Sequence, residues 1–424
     1  MSASVIVGDC IEAMKAMPEN SIDAIVTDPP YGLSPDGKAR TWDDIEDGRS
    51  RGGFMGKAWD AAVPGVAWAD ECLRVLKPGG HLVAFGGTRT IHRLTCAIED
   101  AGFEIRDMGV WCYWQGFPKS LDVSKAIDAA AGAEREVVGP SARHVGGRDW
   151  GPGRGAGDCI QTMITAPATP AARTWQGYGT ALKPAHEPWV LARKPLSGTV
   201  AANVLEWGTG ALNIDGCRYA PGDPAWPGPG HGWTFTQGPK TGRAWGQYGG
   251  GGVASHREGT DSCHDLGRWP ANLYAHPKAS RGEREQGCEG LAAMTAFEAT
   301  GREPGSSGMN SPRAGIRAGA VGRRTAEEAT PIQNHHPTVK PLNLMRWLVR
   351  LVGGQPNSPN TILDPFAGSG TTLAAATLEG FNSIGIELEP DYAAIAKARI
   401  EWAKAERFHE TRQADLFSPQ PWQL

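Results

Sequence analysis

Long apolar runs are the first thing this 424-residue chain lacks. None approaches the ~20 residues that cross a bilayer as a helix, so no membrane span is expected. Paired cysteines are missing too. Eight cysteines (Cys10, Cys72, Cys96, Cys112, Cys159, Cys217, Cys263 and Cys288) are scattered with no C-x-x-C among them. That spacing argues against a zinc site and for a reducing cytoplasm. Cys263-His264 has no companions at ligand spacing and reads as loop. No secretory leader is visible, because Val5-Ile6-Val7 runs straight into Gly8-Asp9. A strong positive charge is absent as well: the net charge is −4. This excludes a purely electrostatic nucleic-acid binder but not a specific one, which needs only a local patch. Residues 141–340 hold 21 Lys and Arg against 16 Asp and Glu, a net of +5, which leaves −9 for the rest. Such polarity suits an insert that faces an anionic partner, and a solvated loop region would show much the same.

The most informative motif is Asp28-Pro29-Pro30-Tyr31, directly after the apolar run Ala24-Ile25-Val26-Thr27. The run reads as a buried strand. Asp28 offers a carboxylate to one hydrogen of an amino group, and the Pro29 carbonyl offers an acceptor to the other. Two consecutive prolines fix the backbone so that both acceptors converge. Tyr31 adds a ring on which a flat base can stack. The plain alternative is a strand-to-loop turn.

A second motif lies far downstream, at Thr361-Ile362-Leu363-Asp364-Pro365-Phe366-Ala367-Gly368-Ser369-Gly370-Thr371-Thr372. It predicts a strand, a glycine turn and then a helix over Leu373–Glu379. Gly368 and Gly370 permit a tight turn and close approach of a ligand. Thr371 and Thr372 are expected to cap the helix, whose first amides favour a carboxylate. A further strand, Ser383–Ile386, leads to Glu387, 23 positions after Asp364. In nucleoside-binding α/β folds an acid at that point accepts from ribose hydroxyls. The turn is not G-x-G-x-x-G, and no phosphate-binding lysine follows it. A ligand with a ribose and a carboxylate but no phosphate fits best, and S-adenosyl-L-methionine is such a ligand. A purely structural strand–turn–helix is the alternative.

Together these motifs resemble the S-adenosylmethionine-dependent amino-methyltransferases of DNA, the N6-adenine/N4-cytosine family, in the subgroup where the catalytic motif precedes the cofactor motif. The resemblance covers about residues 3–115 and 334–405 and is weak between them. Val5-Ile6-Val7-Gly8-Asp9-Cys10 is similar to the family segment in which an acid meets the cofactor's adenine. His336-Pro337-Thr338-Val339-Lys340-Pro341 is similar to the segment that contacts its methionine part. Trp114-Gln115-Gly116-Phe117-Pro118-Lys119-Ser120 loosely resembles phage and prophage methyltransferases.

The resemblance implies an α/β fold, a circularly permuted Rossmann-like methyltransferase sheet with an irregular target-recognition insert. It implies Asp28, Pro29, Pro30 and Tyr31 as the catalytic set. It implies Asp9, Cys10, His336, Lys340, Pro341, Asp364, Phe366, Gly368, Gly370, Thr371 and Glu387 as the cofactor set, with no metal. The implied reaction is attack of the exocyclic N6 of a flipped-out adenine on the sulfonium methyl, in line and without a covalent enzyme intermediate. Cytosine N4 is the main alternative acceptor, because Asp at the first motif position leans toward adenine and Ser toward cytosine. An RNA base remains open. A protein amide is disfavoured, since such relatives carry Asn at that position. A non-catalytic module that kept the fold is the remaining alternative. The implied partners are double-stranded DNA, a second copy in a homodimer and a cognate restriction enzyme; the implied setting is a bacterial or phage-infected cytoplasm.

Along the chain, strands are expected at Ser4–Val7, Ala24–Thr27, His81–Phe85 and Glu104–Trp114. Helices are expected at Ile11–Ala16, Trp68–Leu76 and Thr90–Ala101, the last closed by Gly102. Lys77-Pro78-Gly79-Gly80 reads as a helix stop and a turn. Glu187–Arg193 reads as an antiparallel member of the same sheet. Such alternation implies a mostly parallel sheet. The catalytic half is placed at 1–195, with loop insertions at 32–57 and 115–185. The first insertion is either a loop closing over substrate or a plain surface insertion. Target recognition is assigned to 196–334, the cofactor half to 335–408, and a tail to 409–424. Arg313, Arg317, Arg323 and Arg324 lie among Gly, Ser, Pro and Ala and suit phosphate contacts that order on binding, or else a linker. Trp175, Trp207, Trp226, Trp233, Trp245 and Trp269 fall in or beside irregular sequence and are expected mainly as core staples, with stacking on a base or wedging into a duplex as the alternative. A final helix, Asp391–Arg407, is expected to cover the sheet.

Overall fold

The computed structural model describes residues 1–32, 39–44, 60–116, 120–143, 160–219, 269–295, 298, 331–356 and 358–417. Side chains are described for all of these except 140–143, 160–163 and 410–417. The chain forms two compact units. The first comprises Met1–Tyr113, His186–Cys288 and Thr338–Leu424; the second comprises Trp114–Ala185 and Glu289–Pro337.

The first unit is built on an eight-stranded sheet. Its strands in chain order are β1 (Ala3–Val7), β2 (Ile22–Thr27), β3 (Leu76–Phe85), β4 (Glu104–Cys112), β7 (His186–Arg193), β8 (Leu273–Ala275), β9 (Thr361–Asp364) and β10 (Asn382–Glu387). The spatial order is β1-β10-β9-β2-β3-β7-β4-β8. All neighbours run parallel except β7, which is antiparallel to β3 and β4 as its sequence led one to expect. The two strands from the end of the chain therefore enter between the first two. Read from β9, through β10 and then β1 onward, the sheet is doubly wound with its switch point between β9 and β2. This is a Rossmann-like sheet, circularly permuted so that its first two strands come at the end of the chain.

Side chains alternate between the two faces, as period-two strands require. Ala24, Val26, Val83, Phe85, Trp189 and Ile362 join one core with helix α8 (Leu342–Val352) and helix α9 (Thr371–Glu379). Ile25, Leu82, Ala84, Val190 and Leu363 join the opposite core. That core also takes in Cys10 and Met14 of α1 (Cys10–Lys15), Trp68 and Cys72 of α2 (Val66–Val75), and Leu94 and Ile98 of α3 (Ile91–Asp100). Each large side chain so buried contributes ~1.5–3 kcal/mol of transfer free energy.

Three local details differ from the sequence reading. Lys77-Pro78-Gly79-Gly80 is not a turn before β3 but a protrusion within it: Ile22 pairs with Leu76 and Ala24 with His81, so the four residues between bulge out. Gly79 takes a left-handed φ of 75° there. Thr371 and Thr372 do not cap α9; its N-cap is Gly370, with no side-chain cap bond. The last helix, α10 (Pro390–Phe417), runs well past Arg407, because no glycine or proline interrupts it before Pro419.

The second unit holds α4 (Val123–Ala130), the antiparallel pair β5 (Val137–Arg143) and β6 (Ile160–Thr165), and α5 (Pro170–Thr174). Asp128 ties it together, accepting from Ala168 N (3.0 Å), Thr169 N (3.0 Å) and Arg135 Nη1 (2.5 Å). The segment 196–334 is divided: helix α6 (Val200–Trp207), β8 and helix α7 (Arg281–Glu285) belong to the first unit. Trp175 and Trp269 are not core staples, being 47% and 62% exposed. An Arg218 guanidinium lies 5.0 Å from the Trp269 ring centroid. Trp226, Trp233 and Trp245 lie outside the described residues. No described helix is long and apolar enough to cross a membrane.

Candidate active site

The carboxyl ends of the parallel strands converge at the switch point, where open α/β sheets bind ligands. Asp28 follows β2 and Asp364 ends β9, and the two strands are neighbours. Thr27 Oγ1 donates to Asp364 Oδ1 at 2.6 Å, so the two motifs are joined by a direct bond. The topology thus brings together segments more than 300 residues apart.

Asp28 is the centre of a compact charged cluster. Its Oδ2 accepts from Lys340 Nζ. Its Oδ1 is buried and takes no hydrogen bond from the described residues. Lys340 Nζ also lies 3.3 Å from Glu187 Oε2 and 3.1 Å from the Tyr31 hydroxyl oxygen. Tyr31 donates its hydroxyl to Glu187 Oε2 at 3.0 Å. Lys278 Nζ meets Glu187 Oε1 at 3.1 Å and sits 4.1 Å from the Tyr113 ring centroid. Lys340 Nζ stands 5.2 Å from the Tyr31 ring centroid and 4.9 Å from that of Phe85. Side-chain exposure is 7% for Lys340, 15% for Glu187 and 20% for Asp28.

Burial raises the Asp28 carboxyl above its usual range, with Lys340 opposing and Glu187 adding to the rise. Burial also works against the Lys340 ammonium, but Asp28 and Glu187 outweigh it and hold the amine protonated. Glu187 ends below its usual value, because Lys340 and Lys278 outweigh its burial. The backbone beyond Pro30 is fixed by its neighbours. Asp60 Oδ1 accepts from Tyr31 N (2.8 Å) and Gly32 N (3.2 Å), and Thr90 Oγ1 donates to Tyr31 O (2.7 Å).

The glycine turn lies beside this cluster. Gly368 has φ of 50° and donates its N–H to Glu387 Oε2 at 2.7 Å; Glu387 Oε1 accepts from Glu389 N at 2.9 Å. Burial raises the Glu387 carboxyl. Gly370 has φ of 75°, and a Cβ there would lie 2.8 Å from Ala396 on α10. Helix packing therefore demands glycine here. Thr371 Oγ1 accepts from buried Arg399 at 2.8 Å. Phe366 packs 5.7 Å from Trp42 and 5.7 Å from Trp68, centroid to centroid. Asp364 is buried and raised to about 6, its burial partly offset by Thr27, Thr372 and Phe366 N.

On the far strand of the turn, Asp9 caps α1, its Oδ1 accepting from Ile11 N (2.9 Å) and Glu12 N (3.0 Å). Cys10 begins that helix, and burial pushes its thiol up to about 12. Gly8 N donates to Glu387 O at 2.9 Å, so this segment and Glu387 share one edge. Pro341 is the N-cap of α8. Lys340, which the resemblance implies at the methionine end of a cofactor, touches Asp28, Tyr31 and Glu187. His336 falls in the second unit, where its N–H donates to Asn334 Oδ1 at 3.2 Å. Arg313, Arg317, Arg323 and Arg324 lie outside the described residues, as does most of the 32–57 loop. The described part of that loop is anchored: Trp42 N bonds Val63 O at 2.8 Å, and Asp43 Oδ2 caps α2 through Val66 N at 2.7 Å.

The family model for DNA methylase matches residues 22–130 and 234–398, more than half of the chain. The chain belongs to the N6/N4 DNA methylase family. The match takes in Asp28, Glu187's partners Lys278 and Lys340, and the whole glycine turn. Among curated relatives of this methylase, the type II methyltransferase M.HpaI of Haemophilus parainfluenzae is 32% identical over 129 residues, 30% of this chain and 37% of that one. M.HinfI of Haemophilus influenzae is 32% identical over 116 residues, 26% of this chain and 31% of that one. The matches thus span about a third of each relative's length.

Solved structures similar to the methylase include the cytosine-N4-specific PvuII DNA methyltransferase, at TM-score 0.42 and 14% identity, covering 97% of this chain and 92% of that one. A DNA modification methylase of Thermus thermophilus, solved with S-adenosyl-L-methionine, aligns at TM-score 0.35 and 18% identity over 95% and 96% of the two chains. The strand order, not these overlays, establishes the fold.

Glu187, Lys278 and Asp60 are the site residues that the sequence reading missed. Glu187 carried one signal: an acid followed by proline at the head of a strand that is buried from Pro188 to Arg193. Lys278 and Asp60 carried none.

Proposed function

We propose that this methylase transfers a methyl group from S-adenosyl-L-methionine to the exocyclic N6 of a flipped-out adenine in double-stranded DNA. One observation carries the reading: the Asp28 carboxylate stands at the switch point with one oxygen held by Lys340 and the other buried without a hydrogen-bond partner among the described residues. A buried acceptor left unpaired costs ~1–3 kcal/mol, and a substrate amino group removes that cost.

The residues around the turn fit the cofactor. Helix α9 begins with no side-chain cap among the described residues, so its first N–H groups can take a carboxylate. Glu387 places a buried carboxylate at the tip of β10, the position suited to ribose hydroxyls. Phe366 and Trp42 supply apolar surface for a nucleoside, and Asp9 stands on the same edge. When bound, S-adenosyl-L-methionine supplies the methyl group and a thioether as the leaving group. Asp28 and the Pro29 carbonyl orient the amino group and favour its lone pair for attack. Tyr31, held by Glu187, sets the wall of the base pocket. Positioning and electrostatics account for the rate without a covalent enzyme intermediate.

DNA recognition by the middle of the chain, including Arg313, Arg317, Arg323 and Arg324, is part of this proposal, as are a homodimer and a restriction partner. The test is incorporation of tritiated methyl from S-adenosyl-L-methionine into DNA from a methylation-free host, run beside RNA from the same cells. Label in duplex DNA supports the reading; label confined to RNA overturns it.

A further inference from the structure

We propose that Glu187 is a positioning residue that sets the charge of the Asp28 carboxylate by sharing the Lys340 ammonium. The inference rests on the assignment of Asp28 to the substrate amino group.

Lys340 is nearly fully buried and lies between two carboxylates, Asp28 and Glu187. A single ammonium bonded to Asp28 alone would favour the ionised carboxylate and lower the pH at which it forms. Glu187 prevents this in two ways. It takes part of the Lys340 charge at 3.3 Å, and its own negative charge stands close to Asp28. Lys278, at 3.1 Å, keeps Glu187 ionised from the far side. Tyr31 locks the arrangement by donating to Glu187 while accepting from Lys340. The groups facing Asp28 are therefore Lys340 from the segment before α8, Glu187 from β7, Tyr31 from its own loop, and Asp364 across the switch point, which burial keeps near pH 6. Of these, Glu187 is the one described group that touches both Lys340 and Tyr31 without belonging to either motif recognisable in the sequence.

The sign of the effect follows. Removing the charge of Glu187 leaves Lys340 to Asp28 and lowers the pH at which Asp28 ionises. Removing the charge of Lys340 leaves two facing carboxylates and raises it. A merely structural role for Glu187 predicts no movement of the Asp28 midpoint when the charge of Glu187 is removed.

The first measurement needs no activity. In the cofactor-free protein labelled with carboxyl-13C aspartate, the Asp28 resonance is assigned by its loss in Asp28→Asn and titrated by NMR. The midpoint should fall in Glu187→Gln and rise in Lys340→Met. The second is the pH dependence of single-turnover methyl transfer to DNA from a methylation-free host, whose acid limb should move in the same two directions. If Glu187→Gln does not fold, Glu187→Ala is titrated in its place, with the same fall expected. An unmoved Asp28 midpoint in the folded variants overturns the inference and leaves the methyltransferase reading standing. No transfer by the wild-type protein to any DNA overturns that reading, and the inference with it.

Discussion

Replacing Asp28 with alanine should slow methyl transfer by roughly two to three orders of magnitude while leaving S-adenosyl-L-methionine affinity within about threefold. The magnitude comes from what the carboxylate does at each oxygen. Oδ1 is the buried, unpartnered acceptor, and a charged acceptor at the reacting atom is worth ~3–4 kcal/mol of barrier. Oδ2 holds Lys340, but Lys340 keeps Glu187 at 3.3 Å and the Tyr31 hydroxyl at 3.1 Å after the change. The ammonium is therefore not stranded, and the cost to folding should stay near ~1 kcal/mol rather than the ~3–5 of an abandoned buried charge. Glu387, proposed for the nucleoside of the cofactor, is bonded to Gly368 N and not to Asp28 among the described residues. The assay is single-turnover transfer of tritiated methyl to DNA, paired with calorimetric titration of the cofactor. A rate within tenfold of wild type, with the variant folded, would show that Asp28 does not hold the amino group. An equal loss of cofactor affinity would show that the carboxylate belongs to the other half of the site.

Three further outcomes follow from particular contacts. Glu387→Ala removes the acceptor of Gly368 N and Glu389 N as well as a ribose acceptor, so cofactor affinity by calorimetry should fall at least about tenfold. Gly370→Val combines a φ of 75° with a Cβ 2.8 Å from Ala396, and urea unfolding should show a loss of about 3 kcal/mol even without cofactor. Asp364, raised to about 6, binds more protons folded than unfolded, so its contribution to stability is present at low pH and is lost as pH climbs from about 4 to 6. Asp364→Asn should therefore gain about 2 kcal/mol relative to wild type between pH 4.5 and pH 7.5, and a pH-independent difference would contradict the assigned ionisation.

Local signals carried most of the fold. Each strand of the switch point announces itself by an apolar run ended by a polar residue, and each glycine turn by its residues, so β2 with Asp28 and β9 with Gly368 were readable in place. The antiparallel β7 was readable too, because its run from Trp189 to Ala192 is apolar on both faces. What could not be read were meetings set by the sheet order. Glu187 reaches Tyr31 because β7 lies beside β3 and runs antiparallel to it, which brings the head of β7 to the carboxyl end of the parallel strands. Lys340 precedes α8 and arrives from the other side of the switch point. The motif carried no sign that the packed chain sets the Lys340 ammonium on the Asp28 carboxylate. Thr371 shows the same limit: a threonine at a helix start suggests a cap, yet Arg399 on a helix that follows takes its hydroxyl. The bulge in β3 was misread because a Pro-Gly-Gly run signals a turn equally well before a strand and inside one.

The central claim is that an exocyclic amino group of a DNA base fills the unpaired oxygen of Asp28. The most direct test is to express the protein in a methylation-free host, digest the DNA to nucleosides and identify the product by mass spectrometry, with Asp28→Ala expressed in parallel. The account predicts N6-methyladenine from the wild-type protein and none from the variant. N4-methylcytosine alone would contradict the adenine assignment, and DNA without any N-methylated base would contradict the claim itself.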